Sequence, residues 1–186
     1  MRATAIPIAA LAAISMLAAC APGPARQQPP ADVSTTTLPA AASAAAEADT
    51  PLGRAVTVAV NDWRKTRGAR PLATDATLQR AAAVHAADMA LRGYFGHHNP
   101  EGQGPRERVL AVDKNFNARI SENVQVVEGP SYAAMSDAAL AKLMVEKWAQ
   151  SPQHRQNMQA AEATRSGVGI GRTGTRIIAV QVFAGN

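Results

Sequence analysis

The chain has 186 residues, of which 47% are hydrophobic and only 4% aromatic, and its formal net charge is +5. A single cysteine rules out an intramolecular disulfide framework, so a folded domain must depend on its own hydrophobic core. The positive charges are scattered and aromatic residues for base stacking are few, and we therefore expect no nucleic-acid partner.

The first twenty residues predict an export signal. Arg2 is its only charge, residues 5–19 are almost entirely apolar, and the stretch is too short to span a membrane comfortably. The end, Leu17-Ala18-Ala19-Cys20, resembles a bacterial lipoprotein signal, which implies cleavage after residue 19 and lipid attachment to the Cys20 sulfur. The alternative is an ordinary signal peptide cleaved nearby, which leaves Cys20 as a free thiol. Ala21 favours the outer membrane over the inner, so we expect a lipid-anchored extracytoplasmic protein that faces the periplasm.

Residues 20–50 predict a tether that begins at the lipidated cysteine. They contain five prolines and an alanine run, and no large apolar residue follows Leu38. Such a stretch buries too little surface to offset its ordering entropy, and proline keeps it extended at about 3 Å per residue. A transient helix over residues 40–48 is the one exception that we expect.

The remaining residues, 51–186, predict one domain without internal repeats. From residue 52 onward, the chain contains 17 Lys and Arg residues and 11 Asp and Glu residues, which gives a net charge of +6. This balance predicts loose attraction to an anionic envelope surface. We expect the domain to be a monomer.

Apolar residues at intervals of three and four predict two amphipathic helices, over residues 51–67 and 75–92, that end at Gly68 and Gly93. His85 lies on the apolar stripe of the second helix, where we expect a core histidine bonded to a backbone group rather than a ligand. Further helices are predicted over residues 105–112 and 136–150, and a short helical turn begins at Pro152.

Three strands are predicted, over residues 120–127, 166–172 and 175–184, with Gly174 at a hairpin turn between the last two. Several helices combined with a closing hairpin favour an α+β fold, in which helices cover an antiparallel sheet.

Three short segments carry the side chains that bind metals or transfer protons near neutral pH. Two of them are turns at helix ends, Tyr94–Pro100 with His97 and Ser151–Asn157 with His154. The third, Ser121-Glu122-Asn123, places a carboxylate at the start of a predicted strand. If the fold brings these segments together, they form a polar cleft; otherwise they are three solvated loops.

These segments match a known family in their order along the chain. Phe95-Gly96-His97-His98-Asn99-Pro100-Glu101-Gly102 resembles the F-S-H-x-x-P-x-G signature of the CAP superfamily, the cysteine-rich secretory, antigen 5 and pathogenesis-related 1 proteins, also called SCP domains. Ser121-Glu122-Asn123-Val124 is similar to its G-E-N-I element, and the segment from Trp148 to Met158 is similar to its bacterial W-x-x-S-P-G-H-R-x-N element. The resemblance covers most of the domain and implies an α-β-α sandwich with a central antiparallel sheet of three or four strands.

The resemblance also implies a cleft in which two histidines and two acidic residues meet. His97 and His154 take the histidine positions, and Glu122 takes the first acidic position. Glu146 is the nearest candidate for the fourth position, but an ideal helix turns it well over 100° from the apolar stripe, so a local distortion would be needed. Family members sometimes hold zinc, and His97, His154 and Glu122 could supply three ligands, or Glu122 could instead orient an imidazole.

Three functions are consistent with such a cleft. The first is a binding module for a lipid, glycan or protein partner in the envelope. The second is a metal-assisted hydrolase, which would use activated water because no serine or cysteine nucleophile is in evidence. The third is a scaffold in which His97, Glu122 and His154 only connect loops.

Overall fold

The computed structural model describes residues 37–185, so the predicted export signal and Cys20 lie outside the described part of the chain. No helix within residues 37–185 is long and apolar enough to cross a membrane. The helices are α1 Ala40–Ala45, α2 Pro51–Lys65, α3 Ala76–Arg92, α4 Pro105–Val112, α5 Pro130–Ala133, α6 Asp137–Gln150 and α7 Pro152–Gln159. The strands are β1 Ala73–Thr74, β2 Arg119–Glu128, β3 Ala163–Thr173 and β4 Arg176–Gly185.

The four strands form one sheet in the order β1-β3-β4-β2. The three long strands pair antiparallel, as the sequence predicts, and β3 and β4 form the closing hairpin. The two-residue β1 pairs parallel with β3, which makes the sheet mixed. A strand of two exposed residues carries no alternation of polar and apolar side chains, so the sequence contains no signal for it.

Local side chains fix the helix ends close to their predicted positions. Thr50 accepts a hydrogen bond from the Gly53 amide at the start of α2, and Asp75 accepts one from the Leu78 amide at the start of α3. Gly93 ends α3 in the left-handed conformation, with φ of 72°, which glycine adopts without strain. The turn that begins at Gly93 carries His97.

Helices cover both faces of the sheet, which confirms the predicted α-β-α sandwich. Helices α3 and α4 lie on one face, where three alternate glycines of β3, Gly167, Gly169 and Gly171, point toward α3. A Cβ atom added at Gly169 would overlap the backbone of Ala82 and Ala83. Because glycine alone fits there, α3 approaches the sheet backbone to backbone.

The opposite face has a core of large side chains. Helices α2, α6 and α7 pack there against the sheet, and the fully buried members include Leu52, Leu140, Met144, Trp148 and Met158. This layer also contains the buried guanidinium of Arg64, which donates hydrogen bonds to the Arg70, Met158, Ala160 and Ala163 carbonyls. It thereby connects α2 to the chain between α7 and β3.

Residues 37–50, which the sequence places in the tether, lie against the domain in the structure, and we call them the docked segment. Ala42 of α1 is buried against Val84 and Ala87 on the outer side of α3. Arg80 of α3 donates hydrogen bonds to the Ser43 and Ala46 carbonyls. A run of alanines gives little signal for such docking, because its contacts come from small side chains and backbone carbonyls.

Candidate functional site

The three predicted segments converge around β2, the end strand of the sheet. His97 lies in the turn between α3 and α4, on one side of this strand, and Glu122 points from the strand toward the same side. His154 lies on α7, which packs against the strand from the other side.

Glu122 is buried and holds the His97 ring by a direct hydrogen bond. His97 Nδ1 lies 2.9 Å from Glu122 Oε1. A carboxylate only accepts hydrogen bonds, so Nδ1 carries the hydrogen, and in the neutral form of the ring Nε2 has a lone pair. The His97 side chain is 43% exposed, compared with 1% for Glu122. The surface therefore presents a partly exposed imidazole whose orientation is fixed by a buried carboxylate.

Arg108 of α4 compensates the charge of Glu122, and sequence reasoning missed it. Its guanidinium is buried, lies 2.6 Å from Glu122 Oε2, and also donates hydrogen bonds to the His97 and Gln103 carbonyls. Burial alone would raise the pKa of Glu122, but the His97 hydrogen bond and the Arg108 charge outweigh it and hold that pKa below its usual value. The sequence carries no signal that distinguishes Arg108 from a solvated residue of a short helix, because only the fold places it beside Glu122.

His85 is buried under the turn that carries His97 and forms a hydrogen bond with its backbone. Its Nε2 lies 2.8 Å from the Gly96 carbonyl oxygen, so Nε2 carries a hydrogen. Burial, followed by the nearby Arg108 charge, lowers the pKa of His85 to about 4. The prediction of a core histidine bonded to a backbone group is confirmed.

Two asparagines fix His154 relative to Glu122. Asn123 Nδ2 donates to the His154 carbonyl at 3.0 Å, and Asn157 Nδ2 lies 3.1 Å from the Glu122 carbonyl and 2.9 Å from Asn123 Oδ1. This pair attaches α7 to the same two residues of β2 that carry the carboxylate. Burial lowers the pKa of His154, and a charge on His97, when that ring is protonated, lowers it further, so the neutral imidazole of His154 is favoured.

The structure does not bring Glu146 into this cluster. Glu146 is exposed and lies 4.0 Å from Lys142 on the outer side of α6, in a groove between α2 and α6. Two residues later, Trp148 points inward and donates its indole N–H to the Val124 carbonyl. Helix α6 is regular between them, so Glu146 faces away from the cleft.

The donor set does not fit a zinc site with three protein ligands. Both carboxylate oxygens of Glu122 are already engaged, one by His97 and one by Arg108. Within residues 37–185, no group of three or more His, Cys, Asp and Glu side chains is arranged to hold a metal ion. Glu122 thus has the orienting role that the sequence left open, and a metal-assisted hydrolase built on this cluster lacks its third ligand.

The family model for the cysteine-rich secretory protein family, CAP, matches residues 58–183. The chain belongs to this family, which confirms the resemblance found in the sequence. A search of curated proteins finds no significant match.

Solved structures of bacterial proteins share the fold. An outer surface protein from Borrelia burgdorferi is 20% identical with a TM-score of 0.62, over 74% of this chain and 96% of that one. An extracellular protein with an SCP domain from Bacillus anthracis is 23% identical with a TM-score of 0.56, over 73% of this chain and 40% of that one. A cysteine-rich secretory protein from Staphylococcus aureus is 15% identical with a TM-score of 0.52, over 73% of this chain and 38% of that one.

Proposed function

We propose that this protein is an envelope-anchored binding module that holds a lipid, glycan or protein partner at the cleft between His97 and His154. The observation that carries the proposal is the hydrogen bond from His97 to buried Glu122, which fixes the orientation of one partly exposed imidazole. A neutral Nε2 accepts a hydrogen bond from a hydroxyl or amide group, and such groups are abundant on glycans and peptides.

A second surface, which faces away from His97 and His154, suits a separate apolar ligand. The groove between α2 and α6 has a volume of about 580 Å³, within the range of ligand pockets. Its lining is mostly apolar and includes Ala55, Val58, Ala59, Trp63 and Val145. Val58 is 60% exposed, although it is a large aliphatic residue. A lipid or an amphipathic partner would cover this surface.

The proposed anchor is the lipidated Cys20, which would hold the domain outside the cytoplasm on the outer membrane. The sequence of the export signal supports this location, as do the names of two fold relatives, an outer surface protein and an extracellular protein. The predicted tether, residues 20–50, would link this anchor to the domain.

Binding is tested by identifying what co-purifies with the full chain extracted from membranes, using mass spectrometry for lipids, glycans and peptides. His97→Ala and His154→Ala should each reduce the recovered ligand at least tenfold. His98→Ala is the matched control, because His98 is an exposed histidine in the same turn and makes no hydrogen bond within the described residues. Full recovery of the ligand with both cleft variants would refute the proposal.

The scaffold alternative makes the opposite prediction. It is favoured by the same bonds, because Glu122 and Arg108 connect the turn at His97 to β2 and α4. Under that alternative, His97→Ala lowers the melting temperature, and neither His97→Ala nor His154→Ala changes the amount of any ligand that is recovered.

Anchoring is tested separately with Cys20→Ser. The variant should move from the membrane fraction to the soluble fraction and lose incorporation of labelled palmitate, whereas the wild-type chain retains both. A variant that stays in the membrane fraction would contradict the proposed anchor and leave the cleft proposal standing.

A further inference from the structure

Strand β2 has one side that no other strand of the described sheet covers. It pairs with β4 in a regular antiparallel register from Arg119 to Glu128. Gly129, the next residue, donates its N–H to the Thr175 carbonyl opposite it, so odd-numbered residues of this segment face β4. Because residues alternate along an antiparallel strand, the N–H and C=O groups of even-numbered residues point to the outer edge.

Three successive carbonyls of this outer edge accept hydrogen bonds from side chains. The bonds join Asn157 Nδ2 to the Glu122 carbonyl (3.1 Å), Trp148 Nε1 to the Val124 carbonyl (3.3 Å) and Gln125 Nε2 to the Val126 carbonyl (2.7 Å). The donors come from α7, α6 and β2 itself. Three different elements therefore direct an N–H group to the position where a neighbouring strand would donate its own.

The sequence of β2 makes such closure necessary. The strand is ten residues long, contains no proline and is rich in β-branched residues. A long edge of this composition is a ready template for pairing with another chain. The partner present at equal concentration is a second copy, and antiparallel pairing of one strand with its own copy closes a two-fold dimer. We propose that the side chains of Gln125, Trp148 and Asn157 close the outer edge of β2 against pairing with a second copy of this chain.

The test removes two of the three donors with Gln125→Val and Asn157→Leu, singly and together, and leaves the buried Trp148 in place. The matched control is Gln153→Val with Gln156→Leu, which makes closely similar chemical changes at exposed positions of α7. Sedimentation equilibrium across a concentration series measures self-association, and near-UV circular dichroism verifies the fold. We expect the double variant to self-associate at least tenfold more strongly than either the wild-type chain or the control.

A third change shows where the association occurs. Val126→Pro removes an N–H group that points to the outer edge, so it blocks a new strand there and leaves the ladder to β4 intact. Added to the double variant, it should restore the monomer. The proposal is overturned if the folded double variant stays monomeric, or if its dimer persists with proline at position 126. If the double variant does not fold, Gln125→Val alone decides in the same way, because that side chain bonds only to the adjacent residue.

Discussion

The two faces of the sheet are built by different means. On the α3 face, alanines of the helix lie against glycines of β3, and apolar side chains such as Val124 and Ile178 share the remaining space with the polar groups of the candidate site, His85, Arg108 and Glu122. On the α2 and α6 face, large apolar side chains such as Trp148 fill the interior. Each face also buries one arginine, Arg108 on the first and Arg64 on the second.

The difference teaches how the site is positioned. A backbone-to-backbone contact leaves few alternative packings, so α3 delivers the turn at His97 to a fixed place above Glu122. A core of interdigitated large side chains stabilises mainly by the apolar area that it buries, and it tolerates conservative exchanges better. We therefore expect the candidate site to be more sensitive to small changes on its own face than to changes on the other.

The two buried arginines give the largest predicted effect. Arg108→Met should lower the free energy of unfolding by about 3–5 kcal/mol, because it leaves Glu122 buried without its compensating charge. The loss should shrink as the pH falls and Glu122 becomes protonated. Arg64→Met removes bonds to neutral carbonyls, so its cost should not vary with pH in the acidic range. Urea unfolding of both variants between pH 4 and pH 8 measures this, and parallel pH curves would contradict the assigned pairing.

We expect the stability of the α3 face to depend on pH, because it contains the buried His85. Its pKa is about 4 in the folded protein and about 6.5 when unfolded, so the unfolded state binds the extra proton between these values. The contribution of neutral His85 to the free energy of unfolding is therefore fully present above about pH 6.5. It is lost as the pH drops toward 4, by about 3 kcal/mol in all. The lowered pKa of His154 acts in the same direction. In His85→Gln, the free energy of unfolding measured over this range should vary much less with pH. An unchanged pH profile would show that other groups cause the dependence.

Substitutions at adjacent residues of β3 allow the packing of the two faces to be compared directly. Gly169→Ala adds one carbon against the α3 backbone, and we expect a loss of about 2–3 kcal/mol, since the helix must move. Ile170→Val removes one carbon from the opposite core, where about 1 kcal/mol is typical. Thermal and urea unfolding give both values. If Ile170→Val proved the costlier change, the proposed contrast between the faces would fail.

Much of this architecture could be predicted from the sequence, because its signals are local. Helix stripes, the caps at Asp75 and Gly93 and the glycine-alternating strand β3 each depend on residues close together in the chain. The family motifs identified His97, Glu122 and His154, but not what holds them. Arg108 and the Asn123–Asn157 pair act only through long-range contacts. A guanidinium in a short helix looks like a solvated residue until the fold places a carboxylate beside it.

The docked segment extends the small-residue layer outward and gives the smallest predicted effect. Ala42→Asp places a charge in the contact with Val84 and Ala87, so the segment should detach at a cost of about 1 kcal/mol, since few groups are involved. Ala44→Asp, on the exposed side of the same helix, is the control and should have no measurable effect. Limited proteolysis of the full chain should cleave the Ala42→Asp variant within residues 37–50 faster than the control. Equal rates would mean that contacts outside the Ala42 pocket, such as those of Arg80, hold the segment when the pocket is lost.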